Sequence, residues 1–413
     1  MATKKADNKI HKIGMIGGSM KSFMGNIHRQ AIERTGSLKI VGGSFGTSKQ
    51  ASYDFIKPLD LNVDDLFPSY RDFLRREKTR KGDKKLLFVS AVLPNTMHYP
   101  IAMTAMDSGV PILGEKPFTS NLDEAANLVR KQKATKVPYR IAMVYPAYSQ
   151  LVHARNLLAK GEIGTLRRFY ISMQSGWMAR RVENQGNTQA LWRVDGKRNG
   201  VGGVLNDCGC HCQFVLEWLT GFEISEVCVG AHACVPGRLI PDDATVLVRT
   251  KQGIGGTFMM SQIATGHNEG LSIEITGDKG TLLWKQCEPA VLAIVANDGT
   301  RKEYRDATAS GESVVAETPY GANEAYVEAL TRVYEDFIEE LTGKTKKSRA
   351  KDHRILGMTA EEGLRSVAVT TAMEKSIQFV PPDAPPAIKW QPVVMPQLEF
   401  PKMTDLTKSW FDN

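Results

Sequence analysis

Short apolar runs alternate with longer amphipathic stretches over the first 145 or so residues. Ile10–Ile16, Leu38–Gly43, Lys85–Leu93, Val110–Gly114 and Tyr139–Tyr145 read as strands. Between them, helices are predicted through Ile27, His28, Ile32 and Arg34, then over Asp65–Arg76, Tyr99–Ser108 and Leu122–Lys133. Lys85–Leu93 is apolar enough to be buried on both faces, as parallel strands are. Strand–helix alternation at this spacing predicts an α/β fold with a doubly wound parallel sheet, whose ligands sit beyond the carboxyl ends of the strands. Those ends carry Gly17–Ser19, Ser44, Pro94–His98, Gly114–Pro117 and Tyr145–Tyr148.

The pattern changes near Pro146. A helix over Ser149–Lys160 leads to an extended run, Leu166–Gly176, and a Gly-rich loop that ends near Gly203. After a helix over Asp207–Leu219 come strand-like runs at Glu226–Cys234, Ala244–Arg249, Gly255–Gln262, Leu271–Thr276, Thr281–Lys285 and Ala290–Ala296. Consecutive strands with tight turns predict a large, open, mostly antiparallel sheet in an α+β domain. Helices over Glu324–Leu341 and Thr359–Gln378 follow, and a Pro-rich stretch reads as an extended arm. The expected organisation is a dinucleotide-binding domain over 1–146, a substrate-binding and oligomerisation domain over 147–378, and the arm over 379–413. A sheet covered on one face only leaves the other for a homodimer or homotetramer.

The composition, with 42% hydrophobic and 24% charged residues, is that of a soluble globular protein. No apolar run approaches the roughly 20 residues of a membrane span, and no signal-peptide core is visible, so the expected location is cytoplasmic. Much of the +8 formal charge lies in two runs, Arg75–Lys85 and Lys344–Lys351. Neither is interleaved with aromatics, which argues for solvated surface and against nucleic acid. Cys208, Cys210 and Cys212 flank His211. Read as alternating on a short segment, they point to different sides, so no metal site is expected.

Gly17 and Gly18 directly follow the first strand, and Ser19 and Gly25 precede the first helix. A strand, a glycine turn and a helix N-terminus form the Rossmann cradle for a dinucleotide pyrophosphate. Here Ser19 stands at the second glycine position of the usual G-x-G-x-x-G, with three extra residues before Gly25. An NAD site usually has an acid at the end of the second strand. This chain has Ser44 there, with Lys49 beyond it, a departure that leaves NADP open beside the expected NAD.

Three further motifs narrow the chemistry: Gly114-Glu115-Lys116-Pro117, Pro94-Asn95-Thr96-Met97-His98, and Asp207-Cys208-Gly209-Cys210-His211. In this order they resemble the E-K-P, P-N-x-x-H and D-x-G-x-H elements of the glucose-fructose oxidoreductase/inositol dehydrogenase/MocA family. The stretch Gln189–Gly203, with Trp192-Arg193, resembles the substrate loop of its sugar- and inositol-oxidising members. The resemblance implies Lys116, His211 and Asp207 as the catalytic group. It also implies coenzyme contacts from Pro94, Asn95, His98 and Glu115, and Lys116 anchoring the ribose. Oxidising a secondary alcohol needs a base and a stabiliser of the developing alkoxide, which suit imidazole and ammonium. His211 is expected as the base and Lys116 as the electrostatic partner, with the exchange of those roles open. Tyr145, Tyr148, Trp177 and Trp192 are substrate candidates with core packing as the alternative, and Arg193 is a candidate to hydrogen-bond a sugar ring. Two rival functions share the fold: a glycosidase working by transient oxidation and elimination, and a non-catalytic sugar or nucleotide sensor.

Overall fold

The computed structural model describes residues 9–20, 22–46, 49–59, 61–200, 202–267, 270–305, 324–343, 357–377 and 390–396. The basic run Lys344–Lys351 lies outside them, as does most of the Pro-rich stretch. The first half contains β1 (His11–Gly17), α1 (Phe23–Arg34), β2 (Leu38–Ser44), α2 (Lys49–Ile56), α3 (Tyr70–Thr79), β3 (Val89–Val92), α4 (His98–Asp107), β4 (Ile112–Gly114), α5 (Leu122–Thr135) and β5 (Tyr139–Ile141). The five strands form one parallel sheet in the order β2-β1-β3-β4-β5. All four residues of β3 are buried, as a strand covered on both faces requires. The helix expected from Asp65 begins only at Tyr70, because Pro68 interrupts the chain and the Ser69 hydroxyl caps the Asp72 N–H at 3.2 Å.

The second half contains α6 (Ser149–Ala159), β6 (Leu166–Gln174), α7 (Thr188–Arg193), α8 (Gly196–Asn199), α9 (Val204–Thr220), β7 (Ile224–His232), β8 (Asp243–Thr250), β9 (Gly255–Ser261), β10 (Gly270–Gly277), β11 (Gly280–Lys285), β12 (Val291–Ala296), β13 (Arg301–Arg305), α10 (Glu324–Thr342), α11 (Ala360–Ser376) and β14 (Gln391–Pro392). The nine strands run in the order β13-β12-β11-β10-β6-β9-β8-β7-β14. Every neighbouring pair is antiparallel except β6 with β9. Helices α6, α9 and α11 pack on one face. The other face carries Tyr170, Ser172, Ser272 and Glu274 around a groove of about 270 Å³. Within the Pro-rich arm, Gln391 and Pro392 pair with Val227 and Glu226 and extend the sheet by one short strand.

Helix α10 returns to the first sheet and packs on α1. Its Tyr334 hydroxyl lies 2.6 Å from His28 Nδ1 and 2.7 Å from Ser90 Oγ. Arg140 on β5 reaches Glu340 at 2.7 Å. Among the described residues, no helix is long and apolar enough to cross a membrane.

Candidate functional site

At the carboxyl end of β1 the chain turns through Gly17 (φ 78°) and Gly18 (φ 68°). A Cβ on Gly17 would lie 2.2 Å from the Val92 carbonyl oxygen, and one on Gly25 would lie 2.5 Å from that of Gly18. Only glycine lets this turn close on the start of α1, so the cradle fits the pyrophosphate of a dinucleotide. Ser22, which the motif reading passes over, caps α1 by accepting the Gly25 N–H at 3.0 Å. The signal for it is a serine just before an apolar helical run. Ser19 lies in the turn, and its carbonyl accepts the Ser22 N–H at 2.7 Å. Ser44 is buried at the end of β2. The side chain of Lys49 lies outside the described residues.

Glu115, Lys116 and Pro117 follow β4, with a cis Lys116–Pro117 peptide. The Glu115 carboxylate lies 2.7 Å from His28 Nε2 and accepts the Lys116 N–H at 3.1 Å. It is thus turned into the protein, where it fixes the loop that presents Lys116. His98 does similar work from the start of α4. Its ring nitrogens lie 2.6 Å from the Pro117 carbonyl and 3.0 Å from that of Leu93, and burial pushes its pKa down. Pro94 and Asn95 form the turn between β3 and α4, with Asn95 buried.

Asp207 is the hub. The helix carrying it starts at Val204, three residues before the start expected from the motif, so Asp207 sits within the first turn of α9. Its Oδ1 accepts from Lys116 Nζ at 2.8 Å, and its Oδ2 accepts from Arg193 Nε at 2.8 Å and Gln262 Nε2 at 2.7 Å. Lys116 also donates to the Asp207 carbonyl at 3.1 Å. Gln262, just beyond β9, is absent from the sequence-derived candidates; it stands 55 residues away from Asp207 with no motif around it. Burial would raise the Asp207 carboxyl, but Arg193 and Lys116 hold it well below the usual carboxylate range. Burial would likewise lower the Lys116 ammonium, and Asp207 outweighs it, keeping the pKa above the ordinary lysine value. The pair is therefore a carboxylate with an ammonium at any working pH.

One turn along α9 lies His211, only 4% exposed, with its Nδ1 buried and without a hydrogen-bond partner among the described residues. Burial pushes its pKa well down, and the charge of Lys116 adds to that, with Asp207 opposing. The imidazole is neutral near pH 7. Tyr145 stands edge-on to it with centroids 5.5 Å apart. Tyr148 packs behind Tyr145 and against Trp284, on the core side of the cluster. Burial raises both phenols, so each stays protonated. Arg193 lies over the ring of Trp192 at 4.1 Å and that of Trp177 at 5.3 Å. The loop bearing Trp177 and Arg193 is pinned by buried Arg238, which reaches Glu183 and Asp242 at 3.0 Å each.

The cysteine segment is helical, which corrects the alternating arrangement read from the sequence. Cys208, Cys210 and Cys212 are all buried in α9, and burial pushes the Cys210 thiol up to about 11. Among the described residues, no group of three or more His, Cys, Asp or Glu is placed to hold a metal ion.

Comparison with known proteins agrees with this geometry. Residues 11–143 match the profile described as the oxidoreductase family, NAD-binding Rossmann fold, and residues 151–283 match that of the GFO/IDH/MocA C-terminal domain. An oxidoreductase of Bacillus subtilis (strain 168) is 26% identical over 283 residues, covering 67% of this chain and 71% of that protein. A levoglucosan dehydrogenase of Pseudarthrobacter phenanthrenivorans is 21% identical over 248 residues, covering 54% and 62%. The crystal structure of an inositol dehydrogenase homolog from Azotobacter vinelandii, complexed with NAD+, shares the fold: TM-score 0.80 at 24% identity, over 91% of this chain and 97% of that one. Since two consecutive segments, together well over half of the chain, match the two domains of one architecture, the protein belongs to the glucose-fructose oxidoreductase/inositol dehydrogenase/MocA family and is an oxidoreductase with an NAD-binding Rossmann domain.

Proposed function

We propose that the protein is a dehydrogenase of a sugar, glycoside or cyclic polyol, in which bound nicotinamide exchanges a hydride with a secondary carbinol carbon. The observation that carries this reading is the division of protonation states around Asp207. An ammonium, Lys116, is fixed by a carboxylate, while His211 on the same helix as that carboxylate is neutral and has a nitrogen without a partner among the described residues. His211 then takes the hydroxyl proton as the alcohol is oxidised and returns it in the reverse direction. Lys116, held charged, donates to the reacting oxygen and stabilises its developing negative charge. Asp207 stays ionised and acts as the anchor of both cations, so it carries no proton in the cycle. Trp177 and Trp192 offer apolar faces to a sugar ring beside Arg193.

The names of the relatives, a levoglucosan dehydrogenase and an inositol dehydrogenase homolog, support the substrate class. The Gly17–Gly25 cradle would hold the pyrophosphate. With no acid at the end of β2, NAD is the expected coenzyme and discrimination against NADP is weak. The face of the second sheet that no described helix covers supports a homodimer or homotetramer, which sedimentation of the purified protein would test. The main test is a panel of sugars, inositols and anhydrosugars assayed for reduced nicotinamide with each coenzyme. Turnover of one ring class is the expected result. Absence of turnover across the panel, with dinucleotide binding intact, would overturn the reading. Release of an aglycone without net reduced coenzyme would instead identify an eliminating glycosidase.

A further inference from the structure

Asn199 is 3% exposed and sits at the end of α8, a four-residue turn of helix in the substrate loop. Its side-chain amide donates to two carbonyls at once, Arg193 O at 3.0 Å and Gly203 O at 3.2 Å. Arg193 ends α7 and Gly203 immediately precedes α9, so one amide ties the residue that holds Asp207 to the start of the helix that carries Asp207. The Asn199 side-chain oxygen takes a long bond, 3.5 Å, from Asn95 in the turn after β3. Its backbone carbonyl accepts from Asn206 Nδ2 at 2.8 Å, and the same Nδ2 donates to Glu374 on α11 at 2.8 Å. Glu374 also accepts the Gly202 N–H at 3.1 Å. The loop from 193 to 206 is thus closed on itself by Asn199 and fastened to α11 by Glu374.

We propose that Asn199 is a positioning residue: by stapling Arg193 to the start of α9 it sets the Arg193–Asp207 pair, and through Asp207 the direction in which Lys116 points. Arg193 and Gln262 together occupy Oδ2 of Asp207, which leaves Oδ1 for Lys116. Releasing Arg193 frees the carboxylate to rotate, and the ammonium follows it. Small displacements of this kind weigh heavily on a reaction that depends on alignment. The inference rests on the dehydrogenase reading for its kinetic test, and has a structural test that does not.

The experiment is a double-mutant cycle between Asn199→Ala and Arg193→Ala, using the best ring compound from the panel. Misaligning the Arg193–Asp207 pair should lower kcat/KM by about tenfold to a hundredfold in the wild-type background. If Asn199 acts through Arg193, the same substitution costs less than about threefold once Arg193 is alanine. Equal losses in both backgrounds would overturn the proposal, because a residue that only stabilises the fold is additive. Calorimetric affinity of Asn199→Ala for the dinucleotide should stay within about threefold of wild type, as expected for a group outside the phosphate cradle. Should the alanine variant fail to fold, Asn199→Ser, too short to reach both carbonyls, takes its place. If no sugar or polyol is turned over, the dehydrogenase reading fails but the positioning claim is still decided by the variant's crystal structure. Arg193 displaced from Asp207 supports it; Arg193 still bonded there sinks it.

Discussion

Replacing Asp207 with asparagine should convert Lys116 from a permanently charged group into one that titrates within the working range. The two side chains are 17% and 9% exposed and 2.8 Å apart, so water screens their attraction little. With the carboxylate charge spread over both oxygens, the charge centres lie about 4 Å apart, and such a pair is worth ~4 kcal/mol at an effective dielectric of about 20, which corresponds to roughly three pH units. In the wild type, burial is outweighed by Asp207 and Lys116 stays protonated beyond the ordinary lysine range. In the Asp207→Asn variant, burial and the neighbouring Arg193 both disfavour the ammonium, with only Cys210 still opposing them. Activity that needs the charged form is then lost as pH rises through the lowered pKa, giving kcat/KM an alkaline limb about three pH units below that of the wild type. Initial rates of nicotinamide reduction, followed from about pH 6 to about pH 10 at saturating coenzyme, read this directly. A variant whose profile stays flat over that span with near wild-type kcat/KM would show that Asp207 does not control the Lys116 charge.

His211→Ala should lower kcat by at least about a hundredfold while dinucleotide affinity measured by calorimetry stays unchanged; retention of more than about a third of turnover would refute the base assignment. Since burial and Lys116 hold that imidazole well below its usual range, the wild-type rate should fall only as pH drops beneath the ordinary histidine value, and the limb should vanish in the variant. Gly25→Ala places a Cβ 2.5 Å from the Gly18 carbonyl oxygen and should weaken NAD+ binding at least about tenfold, with the purified protein's melting temperature as the control for folding. Ser44→Asp should shift the NAD+ to NADP+ preference toward NAD+ by about tenfold or more, because a carboxylate repels the extra phosphate. Equal loss with both coenzymes would mean that the end of β2 does not face the ribose.

The alternation of strands and helices in the first half was legible because parallel strands are apolar throughout, and β1, β2 and β3 are buried along most of their length. Lys116, Asp207 and His211 could be singled out because they belong to local motifs, Lys116 just after β4 and Asp207 and His211 within the first turns of α9. The elements that escaped are those with little apolar face. Arg301–Arg305 is polar, largely exposed and at the sheet edge, and Lys49–Ile56 is a short helix whose Thr47-Ser48 start signal falls in the stretch read for coenzyme choice. Gln262 and Asn199 escaped for another reason. Their roles lie in contacts with Asp207, Arg193 and Asn95 that only the folded chain brings together. An isolated glutamine after a strand, or an asparagine in a Gly-rich loop, carries no periodicity and no spacing that marks it. The boundary of α3 moved because of Pro68, and α9 begins earlier because Gly203 (φ 54°) turns the chain into the helix there, which leaves the Asp207 carboxylate to Lys116, Arg193 and Gln262.

The seating of α10 on the first sheet bears on how this protein can be divided or recombined. Tyr334 gives His28 and Ser90 a hydroxyl partner in the interior, and Glu340 meets Arg140 on β5. A fragment ending near Pro146 would expose the seat of a helix encoded almost two hundred residues later, with His28 and Ser90 robbed of their partner and Arg140 of its carboxylate. Water would replace the lost hydroxyl and carboxylate, so the larger loss is apolar: Phe88, packed on Tyr334 and Phe337, would be uncovered, and each such side chain is worth roughly 1.5–3 kcal/mol, a sizeable share of a domain's margin. The coenzyme domain is therefore not a transplantable module by its linear boundary. Chimeras that exchange it between family members would have to carry Glu324–Thr342 with it, and that helix would act as a compatibility key selecting which halves tolerate one another.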